Sequence, residues 1–148
     1  MNTSDVRTKR LTPHDRDAAR TLFALMAGVF DEPASPLGDD YIDRLLARQD
    51  FWAIVALVDD RIVGGLTAHT LPMTRGESSE IFLYDVAVQI DHQRMGVGRQ
   101  IVTTLRSMAR AAGIRVVFVP ADDEDVHALD FYRALGGAAA PVTIFTFE

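Results

Sequence analysis

Between Ala18 and Val29 the apolar residues Ala18, Leu22, Leu25, Met26 and Val29 return every three or four positions. That is the period of a helix with one face on a core. Thr12-Pro13-His14-Asp15 supplies its start, with Thr12 as N-cap and Pro13 at the first helical position. Val6–Leu11 before it reads as a short strand, and Asp31–Gly38 after it, with two prolines and a glycine, as a loop. Asp39 or Asp40 caps a second helix, with Tyr41, Leu45 and Leu46 sharing a face. Phe51–Val58 is β-branched and aromatic, Asp59-Asp60 is a turn signal, and Arg61–Thr70 completes a hairpin. A loop over Leu71–Ser78 leads to Glu80–Val88, apolar on both faces except for Glu80, Tyr84 and Asp85. Such a strand belongs in the middle of a sheet.

From Val97 the helical period returns through Ile101, Leu105, Met108 and Ala112, ending near Gly113. Ile114–Val119 is a short strand stopped by Pro120. A helix spans Val126 to Leu135, ended by Gly136-Gly137, and Val142–Phe147 is a last strand. The order β-α-α-β-β-β-α-β-α-β predicts an α/β (α+β) domain over residues 1–148, a mixed sheet covered by helices.

Composition narrows the function. Fifteen basic against 21 acidic residues give a formal net charge of −6, a poor surface for nucleic acid. No apolar run approaches the roughly 18 residues of a membrane helix, and the first ten residues lack the apolar stretch of a secretory signal. With no cysteine, thiolate metal sites and a cysteine nucleophile are excluded. No spacing of His, Asp and Glu suggests a metal. A cytoplasmic location is expected. The charge is also segregated: residues 93–120 hold five arginines and no acid, and Asp122, Asp123, Glu124 and Asp125 follow at once.

The turn Gln93-Arg94-Met95-Gly96-Val97-Gly98 lies between a strand and a helix. Glycines there let several N–H groups converge at the positive end of the helix, an anion site suited to phosphate, with Arg94 and Arg99 adding charge. It is neither a P-loop, since no Gly-Lys-Ser/Thr follows, nor the dinucleotide fingerprint, which needs a third glycine. His92, just before it, reads as a solvated loop histidine.

Gln93-x-x-Gly96-x-Gly98 after Asp85-Val86-Ala87-Val88 resembles the acetyl-CoA pyrophosphate loop of the GNAT N-acetyltransferases. Phe131-Tyr132-Arg133-Ala134-Leu135-Gly136 resembles their second motif, in the usual order. The resemblance implies a GNAT fold. Its twisted, mostly antiparallel sheet would have six to seven strands and about four helices, splayed between the fourth and fifth strands. Ser79–Val88, Ala121-Asp122 with Asp125, and Val63-Gly64-Gly65-Leu66 are most similar to the aminoglycoside 3-N-acetyltransferases within that superfamily. Pro120 and Val126 depart from the pattern, where a polar residue and an aspartate would be expected.

By that resemblance the cosubstrate is acetyl-CoA. Its pantetheine arm would lie along Val86, Ala87 and Val88, with the Val86 N–H donating to the thioester oxygen. Its pyrophosphate would sit on Gln93, Arg94, Met95, Gly96, Val97, Gly98 and Arg99. Tyr132 matches the general acid. The acceptor would be an aminoglycoside acetylated at the 3-amino group, which removes a charge and confers resistance. A polycationic acceptor needs carboxylates: Asp85 and Asp125, with Glu80, Tyr84 and Asp122 beside them. Either Asp85 or Asp125, directly or through water, takes the amine proton. On a plain two-residue alternation Asp85 faces away from Glu80 and Tyr84, but the resemblance implies that this strand is often bulged, which upsets such a count. The Asp31–Asp40 stretch falls where such enzymes build part of the acceptor pocket. The resemblance also implies a homodimer, although no patch in the sequence marks an interface. Other readings are a GNAT enzyme for a polyamine or protein amine, and a non-catalytic acyl-CoA sensor or interaction module.

Overall fold

The computed structural model describes residues 5–33 and 35–148, so Ala34 of the expected Asp31–Gly38 loop lies outside it. The chain runs β1 (Arg7–Arg10), α1 (Arg16–Val29), α2 (Asp39–Ala47), β2 (Phe51–Val58), β3 (Arg61–Pro72) and β4 (Ser79–Val88). It continues through α3 (Val97–Ala111), β5 (Val116–Phe118) and α4 (Val126–Ala134). One sheet holds the five strands in chain order. The pairs β1–β2, β2–β3 and β3–β4 are antiparallel, and β4–β5 is parallel.

Two apolar layers sandwich this sheet. Trp52, Ile54, Ala56 and Val58 of β2 point to one face, where they meet Ile101 and Leu105 of α3 and Ile81 and Leu83 of β4. Phe51, Ala53 and Val55 point to the other, against Leu22 and Met26 of α1 and Ile42 and Leu46 of α2. The strand buried on both faces is therefore β2, whereas β4 is open along part of one face. Each fully buried Leu or Ile here contributes about 1.5–3 kcal/mol. Exposed ion pairs such as Arg7–Asp60 and Arg48–Asp50 are screened by water and add little, so the two layers hold the fold.

Several local expectations are corrected. The α1 N-cap is Asp15, not Thr12. Thr12–Asp15 closes as a turn, and Asp15 Oδ2 accepts from the Thr12 N–H at 2.8 Å and its hydroxyl at 2.9 Å. The inner face of α2 is Ile42 and Leu46, one turn apart, while Tyr41 stays exposed. One expectation holds: Trp52, in the apolar run Phe51–Val58, is a core residue, with Arg10 stacked on its ring and its Nε1 donating to Thr70 Oγ1.

The sheet has five strands among the described residues, not six or seven. Val142–Phe147 forms no strand, and its Val142, Ile144, Phe145 and Phe147 are 71–95% exposed. It pairs with none of the five strands among the described residues.

Candidate active site

The site begins with an irregularity in β4. Thr67 of β3 pairs with Asp85, but the next residue, Ala68, pairs with Leu83, so Tyr84 is an extra residue. This is a β-bulge. Ile81 and Leu83 before it, and Val86 and Val88 after it, all lie on the α3 side of the sheet. Positions 81 and 83 are odd and 86 and 88 even, so one step of alternation has been lost. Tyr84 and Asp85 consequently share the α1 face. Plain alternation would put them on opposite faces; the bulge, of the kind the resemblance implies for this strand, sets them together and spares Asp85 a place among Ile81 and Leu83.

On that face the carboxyl of Asp85 is held above the usual carboxylate range, first by burial and then by the charge of Glu32. Glu32 belongs to the α1–α2 loop, whose far end is anchored by Arg20. Its guanidinium donates to the Leu37 carbonyl at 2.6 Å and also bonds Asp39. Sequence reasoning marked this stretch as part of the acceptor pocket without singling out Glu32. It also missed an aromatic band. Tyr84, 60% exposed, meets His69 edge-on, and Phe82 stands between Tyr84 and Phe118 with centroid distances of 5.6 and 5.1 Å. Glu80 lies at the start of β4, between Leu71 and Val116. At about 3.3 Å per residue it stands about 15 Å from Asp85.

Beyond Phe82 the strands part. β5 pairs with β4 only at Glu80, Ile81 and Phe82, so the backbone from Leu83 to Val88 has no strand partner on that side. This opening is the splay expected between the fourth and fifth strands. Past Val88 the chain makes a single 3-10 turn, Ile90–His92, and Gln93 Nε2 donates back to the Val88 carbonyl at 2.9 Å. Arg94 and Gly96 both take left-handed backbone angles, with φ of 63° and 81°. Gly96 is the α3 N-cap, and no side chain caps the helix. Its first N–H groups, through Gly98 and Arg99, are therefore free to bind an anion. Val97 is buried and Met95 packs on the core, so these two act through backbone and packing. His92 is half-buried rather than solvated, and its Nδ1 is buried without a partner among the described residues.

Gly98 serves a second purpose: a Cβ there would lie 3.1 Å from the Phe131 ring. The glycine lets α4 pack against the first turn of α3. Arg99 reinforces the contact by donating to the Ala134 carbonyl at the end of α4, at 3.1 Å. Tyr132, next to Phe131, is half-buried and packs on the core. Its phenol is pushed up to about 12 by burial, then by the charges of Asp125 and Asp85. Both carboxylates therefore converge electrostatically on Tyr132. Asp125 is also the α4 N-cap, accepting from the Ala128 N–H at 3.1 Å, and Asp122 Oδ1 accepts from the Glu124 N–H at 3.0 Å. Each retains an oxygen outside these bonds, and both residues are exposed.

The arrangement is a cleft between β4 and β5 with an anion cradle beyond one end of β4. A carboxylate pair, Asp85 and Glu32, lies on one face, and a protonated phenol is held by α4. Residues 17–136 match the Acetyltransferase (GNAT) family, and the chain belongs to it. It superposes on the aminoglycoside acetyltransferase meta-AAC0020 from an uncultured soil metagenomic sample. In its trehalose complex that protein gives a TM-score of 0.94 at 32% identity, over 98% of this chain and 97% of the other. In its sisomicin complex the TM-score is 0.95 at 31% identity, over the same shares. The aminoglycoside acetyltransferase HMB0005, also from an uncultured soil metagenomic sample, is 32% identical with a TM-score of 0.92, over 97% of each chain. The aminoglycoside N-acetyltransferase AAC(6')-Iy in complex with CoA shares the fold, at 16% identity and a TM-score of 0.79, over 97% of this chain and 94% of that one. Among curated protein sequences no match is found.

Proposed function

We propose that this protein transfers the acetyl group of acetyl-CoA to an aminoglycoside, at the 3-amino group. The observation that carries the reading is the β4 bulge, which sets Asp85 beside Tyr84 on the face that Glu32 reaches. Two carboxylates and an exposed aromatic ring suit an acceptor that is both a polycation and a sugar. The sisomicin complex of the meta-AAC0020 relative supports the same acceptor class.

Acetyl-CoA, when bound, supplies the acetyl group as a thioester. The uncapped N–H groups from Gly96 to Arg99, with Arg94, fit its pyrophosphate, and Gln93 fastens that loop to Val88. The side of β4 that no strand covers over Val86, Ala87 and Val88 fits its amide-bearing arm. Asp85 Oδ has a raised proton affinity, so it takes a proton from an ammonium more readily than an ordinary carboxylate does. Asp125 is the second carboxylate available for that proton. Tyr132 keeps its Oη protonated at neutral pH, where a departing sulfur needs a proton. Asp122 and Glu80 lie farther out and draw the polycation in through their charge.

The test is CoA release with gentamicin, sisomicin, kanamycin, spermidine and no acceptor. Turnover with the aminoglycosides, above that with spermidine, is the expected result. Absence of aminoglycoside-dependent release overturns the acceptor. A product acetylated at another amine, located by NMR, overturns the position alone.

A further inference from the structure

The α1 side of the sheet is covered over only part of its length. Leu22 of α1 seats on β3 at Gly65, where a Cβ would lie 2.5 Å from a methyl of that leucine. His69 stands four residues further along β3, about 13 Å away. There the register lines up one aromatic residue from each of four strands. Phe51 lies opposite His69, His69 opposite Phe82, and Phe82 opposite Phe118. Residues paired in this way share a face, so the four make a row across the sheet. Tyr84, the extra residue of the bulge, ties the row together, with its ring 6.0 Å from His69 and 5.6 Å from Phe82. Phe118 stands edge-on to Phe82 at 5.1 Å. The row begins in the α2 layer with buried Phe51, continues through half-buried His69 and Phe82, and ends at exposed Phe118.

Two carboxylates bracket this row along β4. Asp85 lies beyond it on one side. Glu80, two residues before Phe82 and so on the same face, lies beyond it on the other. Exposed Leu71 and Val116 flank Glu80 on the neighbouring strands. Glu80 has no ion-pair partner among the described residues. An aromatic floor between two acids, open to solvent at Tyr84 and Phe118, suits a rigid molecule with apolar ring faces and cations at its ends.

We propose that this row selects the acceptor by its length. Rings beyond the one that bears the reacting amine lie on Tyr84 and Phe82, and an ammonium of the farthest ring pairs with Glu80. Resting on the aminoglycoside reading, this assignment adds how one such acceptor is told from another. Glu80 stands about 15 Å from Asp85, farther than a single ring reaches. An amine held at Asp85 is therefore connected to Glu80 only through further rings. The C–H faces of those rings bury against the aromatic floor, and their ammonium groups are drawn to its π-faces. A linear polyamine is as cationic but has no ring to lay there. The row, rather than the acids, separates the two acceptor classes.

The experiment titrates the full chain at equilibrium with sisomicin, neamine and 2-deoxystreptamine, which carry three, two and one rings on the same aminocyclitol. CoA release is measured with the same three acceptors. The variants are Phe82→Leu, which keeps an apolar side chain and removes the ring, and Glu80→Gln, which removes only the charge. An unchanged acetyl-CoA KM verifies the fold of each. Parent affinity is expected to fall with each ring removed. Phe82→Leu should raise the sisomicin Kd and KM about tenfold with kcat held. Glu80→Gln should raise them about threefold. Both should leave 2-deoxystreptamine as in the parent, and Phe82→Tyr should keep the parent values. Sisomicin affinity unaltered in Phe82→Leu and Glu80→Gln overturns the proposal, and so does an equal loss for 2-deoxystreptamine. A parent that binds sisomicin through this row yet releases no CoA with it overturns the acetyl-transfer reading and supports the row as a binding floor. A parent that binds no sisomicin overturns both.

Discussion

Asp85 shows how one residue can trade stability for chemistry. Its carboxyl is raised in the folded state by burial and by Glu32. The native state therefore binds this proton more tightly than the unfolded chain, and stability falls as pH rises from the ordinary carboxylate range through the raised value. Asp85→Asn should raise Tm at neutral pH, with the gain shrinking as pH is lowered below the usual carboxylate range, while acetyl transfer is lost. Thermal melts from acid to neutral pH, alongside CoA release, check both halves. An unchanged Tm at neutral pH would show that the carboxylate carries no such cost. Tyr132 has the opposite virtue, a proton it holds at neutral pH until a departing sulfur takes it. Tyr132→Phe should lower kcat about 10²-fold, the lower end of what a positioned proton donor contributes. Acetyl-CoA affinity should hold, because the ring packing is kept. A charge inside an apolar strand marked Asp85 in the sequence. Glu32 carried no such mark, because its role depends on the α1–α2 loop bringing it near β4 from more than fifty positions away.

At the scale of elements, the hydrophobic periods were sufficient for nine helices and strands, and missed chiefly at ends and joints. Thr12 looked like a cap because the stretch from Thr12 to Asp15 offers two capping residues. The backbone chose Asp15, whose side chain also ties down the preceding turn. The bulge at Tyr84 left no trace in the sequence, since a lost step of alternation emerges only when β4 is laid against β3. The junction of α3 with α4 is another such joint. Gly98 reads as a phosphate-loop glycine, yet its missing side chain is also what admits Phe131. Gly98→Val would push that ring and α4 outward. The expected outcome is a rise in the acetyl-CoA KM together with a lower Tm from overpacking of about 1–3 kcal/mol. A KM change at constant Tm would confine Gly98 to the cofactor loop.

Across the whole molecule, the segregation of charge along the chain is only partly a segregation in space. At 1.5 Å per residue, Arg110 stands about 20 Å along α3 from Gly96. Arg106, Arg110 and Arg115 therefore cannot serve the cradle, and Arg99 spends part of its donor capacity on Ala134. Arg94 remains the cation at the loop itself. The acids do better: Glu32, Asp85 and Asp125, from three separate segments, act on one cleft through Asp85 and Tyr132. The bulge that sets Tyr84 beside Asp85 is one residue long, and that sets how the site can change over time. Removing a single codon at Tyr84 would restore the two-residue period with Asp85 still opposite Thr67 on the α1 face, and would take away the exposed ring beside it. Adjustments of acceptor preference can accumulate one substitution at a time around the cleft. The pairing of an aromatic ring with the cleft's central carboxylate depends on one extra residue in a strand, and it is gained or lost in one insertion or deletion.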